Sequence, residues 1–271
     1  MMLAYAMARA GGDVSYLTNN APIFDADFDA YHADYPVTKI VGPSFEAPPD
    51  YAADWVVVIP TGSFDDRFYD AALNQAKKWR ARVALLSFET PNWYNSQSPF
   101  PRSPLPTESW RRVVAGGGLV VTIAEEGIAP ARQFYGAARD GRDLRFAAWH
   151  PPVNDLVALS PPVLEAATRA DQLGRRRVVA FVRTEDQHKG AHDLLALPPD
   201  VFDGHILSLV FGRGINEAYV AALRRHFASA RDFSIELHSQ ISDRDKFVLL
   251  AQARLLLFTS YFEGYGYPPV E

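Results

Sequence analysis

A chain of 271 residues has room for two domains of ordinary size or one large one. Apolar residues make up 48% and charged residues 22%, a globular balance that excludes wholesale disorder and collagen-like repetition. Lys and Arg number 27 against 32 Asp and Glu, a net charge of -5, which leaves no broad basic surface for nucleic acid; Cys 0 removes any disulfide framework, thiolate zinc site or cysteine nucleophile.

Met1–Ala10 is short and apolar, and Ala8-Arg9-Ala10 has the small residues of a cleavage site. Its one charge, Arg9, stands at the wrong end for a signal peptide. The segment reads instead as a helix, Met2–Ala10, stopped by Gly11-Gly12 and followed by a strand, Val14–Leu17. Asp54–Ile59 has no polar alternation, as expected of a strand buried on both faces. Phe64–Trp79 repeats apolar residues at three- and four-residue steps and predicts a helix. Arg82–Phe88 and Leu119–Ile123 are further strands, the second entered through Gly116-Gly117-Gly118; Ala129–Ala138 predicts a helix and Leu144–Trp149 a strand. Pro151-Pro152 and Pro161-Pro162 bracket a stretch without period, and a short helix, Val163–Leu173, closes it. The alternation then restarts with strand Val178–Val182, helix Ala191–Leu197, strand Ile206–Phe211, helix Asn216–Ala228, strand Phe233–Leu237, helix Asp243–Ala253 and strand Leu255–Phe258. Strands alternating with helices mean parallel βαβ units, and two such runs mean two Rossmann-like domains, with ligands beyond the carboxyl ends of the strands. We place the domains at 1–155 and 176–271, joined by a linker at 156–175. The apolar runs fall far short of the ~18 residues of a membrane span, so the chain reads as cytoplasmic.

Three segments leave predicted strands of the second half. Arg183 and Lys189 stand on a loop that ends in Gly190 at a predicted helix start, where a guanidinium, an ammonium and free N–H groups could converge on an anion; a charged loop without a role is the more common case. Phe211-Gly212-Arg213-Gly214 allows close backbone approach to a ligand, or is a tight turn. Glu263-Gly264-Tyr265-Gly266-Tyr267-Pro268-Pro269-Val270-Glu271 sets two carboxylates around glycines whose N–H groups could cradle phosphate oxygens, with an acid suited to a ribose diol; its plain alternative is an aromatic surface turn. The histidines, at 32, 150, 188, 192, 205, 226 and 238, show no metal-ligand spacing.

The last segment resembles the acid-flanked signature of family 4 retaining glycosyltransferases, usually E-G-F-G-L-P-x-x-E. Arg183 with Lys189-Gly190, Gly212-Arg213-Gly214 and Ser242-Asp243 through Ala253 are similar to the family's upstream motifs in order and spacing, and His150–Asn154 stands where the family has its interdomain segment. The resemblance implies an α/β GT-B fold, two Rossmann-like domains with parallel sheets facing a central cleft. It implies that Arg183 and Lys189 neutralise a donor diphosphate without a metal or other cofactor, and that backbone groups of Gly190, Gly212, Gly214, Gly264, Tyr265, Gly266 and Tyr267 complete the cradle. Glu263 would lie at the transferred sugar, Glu271 at the ribose, and groups around Ser239 in His238–Ile241 at the base. Three departures are Val182, which stands where Gly is usual and is expected to crowd the phosphates, Pro152 in place of Asn, and Ser239 in place of a common Gly. The resemblance also implies a chain that lacks the family's first strand and its closing helices, hence a fragment.

On the acceptor side, Ser87–Asn95 offers Glu89, Asn92, Trp93 and Tyr94, a composition suited to stacking on and bonding a sugar, or else a plain strand-to-loop exit with Trp93 packed inward. Lys77-Lys78-Trp79-Arg80-Ala81-Arg82 is a solvated helix end or a contact for anionic lipid, which would make the protein peripheral at the inner face of the membrane. The partners expected are a nucleotide-sugar donor and a carbohydrate or lipid-linked acceptor. A nucleotide-sugar epimerase of similar fold, or a non-catalytic nucleotide-sugar-binding module, are the alternatives.

Overall fold

The computed structural model describes residues 2–18, 28–41, 51–60, 67–98, 107–136, 144–212, 214–263, 266 and 269. The chain divides into two units, one of Met1–Ile23 with Asp34–Pro152, the other of Phe24–Ala33 with Val153–Glu271. In the first, α1 (Met2–Arg9) buries Ala4 and Tyr5 and turns at Gly11, whose φ of +91° suits glycine, into β1 (Val14–Thr18). Beyond α2 (Asp29–Asp34), β2 (Val37–Val41) lies parallel to β1, with Val14 beside Val37.

Next come β3 (Trp55–Val58), α3 (Arg67–Trp79), β4 (Arg82–Ser87), α4 (Pro91–Gln97), α5 (Thr107–Gly117), β5 (Leu119–Thr122), α6 (Ile128–Tyr135) and β6 (Arg145–Ala148). Their four strands form one parallel sheet in the order β3-β4-β5-β6. Val83 and Leu85 of β4 and Val120 of β5 pack with Tyr69, Ala76, Val113, Val114 and Tyr135 from the helices. Gly117 lets α5 touch the sheet, because a Cβ there would lie 2.5 Å from the Val83 carbonyl oxygen. Gly118 then ends the helix with φ +80°.

Three sequence expectations change here. Asp54–Ile59 is not buried on both faces: β3 is the outer strand beside β4, and Trp55 is exposed. The strand-to-loop exit offered for Ser87–Asn95 is short: Thr90, in extended conformation, and Pro91, in the first turn, start α4, so Pro91–Asn95 is helical. The glycines before β5 are partly helical, since α5 runs to Gly117.

In the second unit, α7 (Asp155–Ala158) is capped by Asn154, whose side chain accepts from the Val157 N–H at 3.3 Å. It is followed by α8 (Pro161–Leu173), β7 (Arg177–Val182), β8 (Ile206–Phe211), α9 (Glu217–His226), β9 (Ser234–Ser239), α10 (Asp243–Gln252) and β10 (Ala253–Leu257). The sheet is parallel in the order β10-β7-β8-β9. Alternation along the strands sends Val178, Ala180, Val182, Leu207, Leu209 and Phe211 to a core with Tyr219, Val220 and Leu223 of α9. Val179 and Val210 face the other way, onto Leu249 of α10. Each Val, Leu or Phe side chain among these contributes about 1.5–3 kcal/mol by leaving water. Residues far upstream join this unit through Tyr31 of α2, whose hydroxyl donates to the Asp155 carboxylate and accepts from the Leu156 N–H. Among the described residues no helix is long and apolar enough to cross a membrane.

Candidate functional site

The register of the second sheet places the candidate segments. Val182, Phe211 and Ser239 lie abreast, and Leu257 pairs with Ala180 two residues below that row. Arg183, Gly212, Gln240 and Thr259 therefore leave the sheet at one carboxyl edge, where parallel α/β sheets bind ligands.

Val182 is 2% exposed and belongs to the core, so it does not crowd that edge as the sequence suggested. Strand alternation turns its side chain inward and the next one, Arg183, outward. Arg183 meets Asp186 at 2.5 Å and Glu185 at 4.0 Å. Gln187–Lys189 is a single 3₁₀ turn that ends at Gly190 with φ +61°. The helix predicted after Gly190 is also 3₁₀, over Ala191–Ala196. Leu197, ahead of Pro198-Pro199, is extended and stops that helix after six residues. The free N–H groups of an α-helix start are thus not supplied there: Asp193 N–H already donates to the Gly190 carbonyl.

Lys189 and Glu263, 74 residues apart, are brought together at 2.6 Å with side chains 17% and 21% exposed. The segment carrying Glu263 is fastened to the Lys189 loop at several points. Thr259 Oγ1 donates to the Lys189 carbonyl at 2.6 Å, and Tyr261 N–H to the His188 carbonyl at 2.9 Å. His188 stacks on Phe262 with centroids 4.9 Å apart, and Tyr261 Oη bonds Asp193 Oδ1 at 3.1 Å. Glycine at 190 is required by this closeness, since a Cβ would lie 2.1 Å from the Thr259 carbonyl oxygen.

Among the described residues, no neighbouring atom demands glycine at Gly212 or Gly214. Asn216 caps α9 and ties that loop to Thr184 at 2.9 Å. Ser239 is the last residue of β9, and the left-handed backbone falls one residue later, at Gln240 with φ +51°. Gly266 has φ +76°. The expectations on Arg213, Gly264, Tyr265, Tyr267 and Glu271 lie outside the described residues.

Sequence reasoning missed Asp186, Thr259 and a network on the same sheet. There Arg177 bonds Glu236 and Ser208, and its guanidinium holds the Glu236 carboxyl below the usual range. Its one sequence signal is the polar alternation Ser234, Glu236, His238 along β9, which puts those residues on one face.

On the first unit, Asn92 donates its amide to Pro130 O and Gln133 Oε1, both at 3.1 Å, joining α4 to α6. Tyr94 is buried, and Glu89 and Trp93 are half-buried. Asn92 and Tyr94 are thus engaged in packing. Lys77 and Lys78 are exposed in the last turn of α3, Arg80 just beyond it and Arg82 at the start of β4, with Arg82 over the Trp55 ring.

The parallel α/β units with loops at the carboxyl edge match the GT-B fold of solved structures. Solved structures similar to this chain include Anabaena Alr3699/HepE in complex with UDP and glucose, at a TM-score of 0.61 and 15% identity over 98% of this chain and 71% of that one. The same Anabaena protein in complex with UDP gives 0.51 and 14% over 90% and 65%. A structure described as trehalose-6-phosphate from E. coli, bound with UDP-2-fluoro glucose, gives 0.50 and 12% over 78% and 53%. At these identities the likeness is one of fold. No family model matches the sequence, and no curated protein matches it.

Proposed function

We propose that the chain is a retaining, metal-independent glycosyltransferase that moves a sugar from a nucleotide-sugar to a carbohydrate, lipid-linked or small-molecule acceptor. The observation that carries this reading is the Lys189–Glu263 pair, held at the carboxyl edge of a parallel sheet in a fold whose solved relatives hold UDP. A cation there meets the diphosphate and stabilises the charge that grows on it as the sugar leaves. Arg183 on the same loop adds a planar fork for phosphate oxygens. In the transfer, the bond from the anomeric carbon to the phosphate oxygen breaks and a bond to the acceptor oxygen forms on the same face. The acceptor proton passes to the departing phosphate. Glu263, beside Lys189, is the carboxylate available to a sugar hydroxyl. The exposed cations at the end of α3 suit anionic headgroups and thus a lipid-linked acceptor at the inner face of the membrane.

The test is titration of UDP and UDP-glucose into wild type and Lys189→Ala, together with transfer from labelled UDP-glucose to a panel of acceptors. The substitution should weaken UDP by roughly ten-fold or more, since bonds to charged groups are worth about 1.5–3 kcal/mol. Unchanged affinity would move the site elsewhere. Release of free sugar without a glycosylated product would favour the epimerase, and binding without turnover a binding module.

A further inference from the structure

We propose that Thr259 is a positioning residue that sets the Lys189 ammonium for the diphosphate, a proposal that rests on the donor-site reading above. Lys189 ends a single 3₁₀ turn, which has too few hydrogen bonds of its own to fix a long side chain in one place. Residue 259 meets it on its C-terminal side at two points. Its hydroxyl donates to the Lys189 carbonyl at 2.6 Å, and its own carbonyl oxygen lies where a Cβ on Gly190 would come within 2.1 Å. The next clamp, Tyr261 N–H to the His188 carbonyl, acts on the residue before Lys189. These contacts bracket the Lys189 main chain by one short segment, and that segment also carries Glu263. The ammonium and the carboxylate therefore share a frame, and their 2.6 Å separation follows from the backbone join as much as from their charges.

The hydroxyl of Thr259 contacts no phosphate in this scheme; it acts through Lys189. Removing it frees the Lys189 carbonyl and lets the turn relax, so the ammonium meets the diphosphate from a spread of positions. Thr259→Val keeps the shape and deletes the donor, whereas Thr259→Ser keeps the donor. UDP and uridine separate a phosphate effect from general damage, because uridine has the base and ribose but no phosphate for Lys189.

The experiment measures UDP affinity by calorimetry and uridine affinity by ligand-observed NMR for wild type, Thr259→Val, Thr259→Ser and Lys189→Ala, with melting temperatures for each. Thr259→Val should weaken UDP roughly three- to ten-fold, the span of one lost hydrogen bond, with uridine unchanged. Thr259→Ser should restore UDP to within about two-fold of wild type. Full UDP affinity in Thr259→Val, while Lys189→Ala loses it, would overturn the positioning role and leave the donor site standing. So would a parallel loss of UDP and uridine with a lowered melting temperature, the mark of a merely structural residue. Full UDP affinity in Lys189→Ala would overturn the donor-site reading itself.

Discussion

The Lys189 ammonium lies 2.6 Å from the Glu263 carboxylate, and both side chains are mostly withdrawn from solvent. A pair so placed is poorly screened, so a diphosphate arriving at Lys189 must compete with a carboxylate already there. On the donor site proposed above, that exchange would free Glu263 for a sugar hydroxyl as the phosphate takes Lys189. Glu263→Gln removes the competitor's charge but keeps its shape. It should tighten UDP roughly three- to ten-fold, a modest share of a charge-assisted bond, while slowing transfer. Calorimetry beside a transfer assay checks both; weaker UDP binding in the variant would refute the exchange.

Arg183 meets Asp186 at 2.5 Å, but here the side chains are 42% and 31% exposed. Water already screens this pair, and exposed pairs are worth about 0–1 kcal/mol. Asp186→Asn should therefore tighten UDP by less than about five-fold. The gain should vanish in high salt sooner than that of Glu263→Gln. A larger effect at Asp186 than at Glu263 would mean that exposure does not rank the two competitors.

At Gly190 the backbone is left-handed and a Cβ would meet the Thr259 carbonyl oxygen at 2.1 Å. Gly190→Ala should cost about 1–3 kcal/mol of stability from the strained φ and the forced separation of the two loops. Since the displaced turn carries Lys189, UDP affinity should fall with it. Urea unfolding and calorimetry on the same preparation test the two effects together; a stable variant with full affinity would contradict the joined-loop geometry.

The second sheet was legible because Val178–Val182 is an unbroken apolar run and Ile206–Phe211 one broken only by Ser208, both of strand length, and their observed bounds differ by a residue at most. Helices α4 and α5 were not. Pro91–Gln97 is rich in Asn and Ser with no apolar period, and α5 ends on Gly116-Gly117, which reads as a turn until the Val83 backbone is seen against it. Lys189 and Glu263 stood out through the resemblance, since each sits in a recognisable motif. Thr259 did not, because one hydroxyl bonding a backbone carbonyl 70 residues away leaves no periodic trace. The misreading of Val182 has a simpler cause: a residue's place in a motif does not tell which face of the strand it takes.

Gly117 offers a test of the first unit alone. A Cβ there would lie 2.5 Å from the Val83 carbonyl oxygen and 2.6 Å from the Val83 Cβ, both set in the strand. Gly117→Ala must push α5 off β4, an overpacking cost of about 1–3 kcal/mol. UDP affinity should stay at the wild-type value wherever the variant is folded, since Lys189 and Glu263, the donor site proposed above, belong to the other unit. Chemical unfolding read beside UDP titration decides it, and a variant as stable as wild type would show that α5 does not approach the strand this closely.

Tyr31 gives the fold a dependence on alkaline pH. Its phenol is pushed up from 10.0 to about 12, first by burial and then by the Asp155 carboxylate that accepts its proton. The side chain is 1% exposed, so the ionised form would be deprived of water as well as repelled. In the unfolded chain the phenol ionises near its ordinary value, so the folded state holds the proton more tightly. The stability from this group is therefore complete below about pH 10 and is lost as pH rises toward 12. Tyr31→Phe removes the donor to Asp155 and the acceptor of the Leu156 N–H, which should cost about 1–3 kcal/mol at neutral pH. Above pH 10 wild type loses the Tyr31 contribution and the variant has none to lose, so the two stabilities should converge. Tyr135, raised to about 12 by burial, remains in both proteins and keeps some alkaline sensitivity in the variant. Urea unfolding at pH 8, 10 and 11 measures the gap directly. A gap that stays constant over that range would show that the Tyr31 proton is not held by the fold.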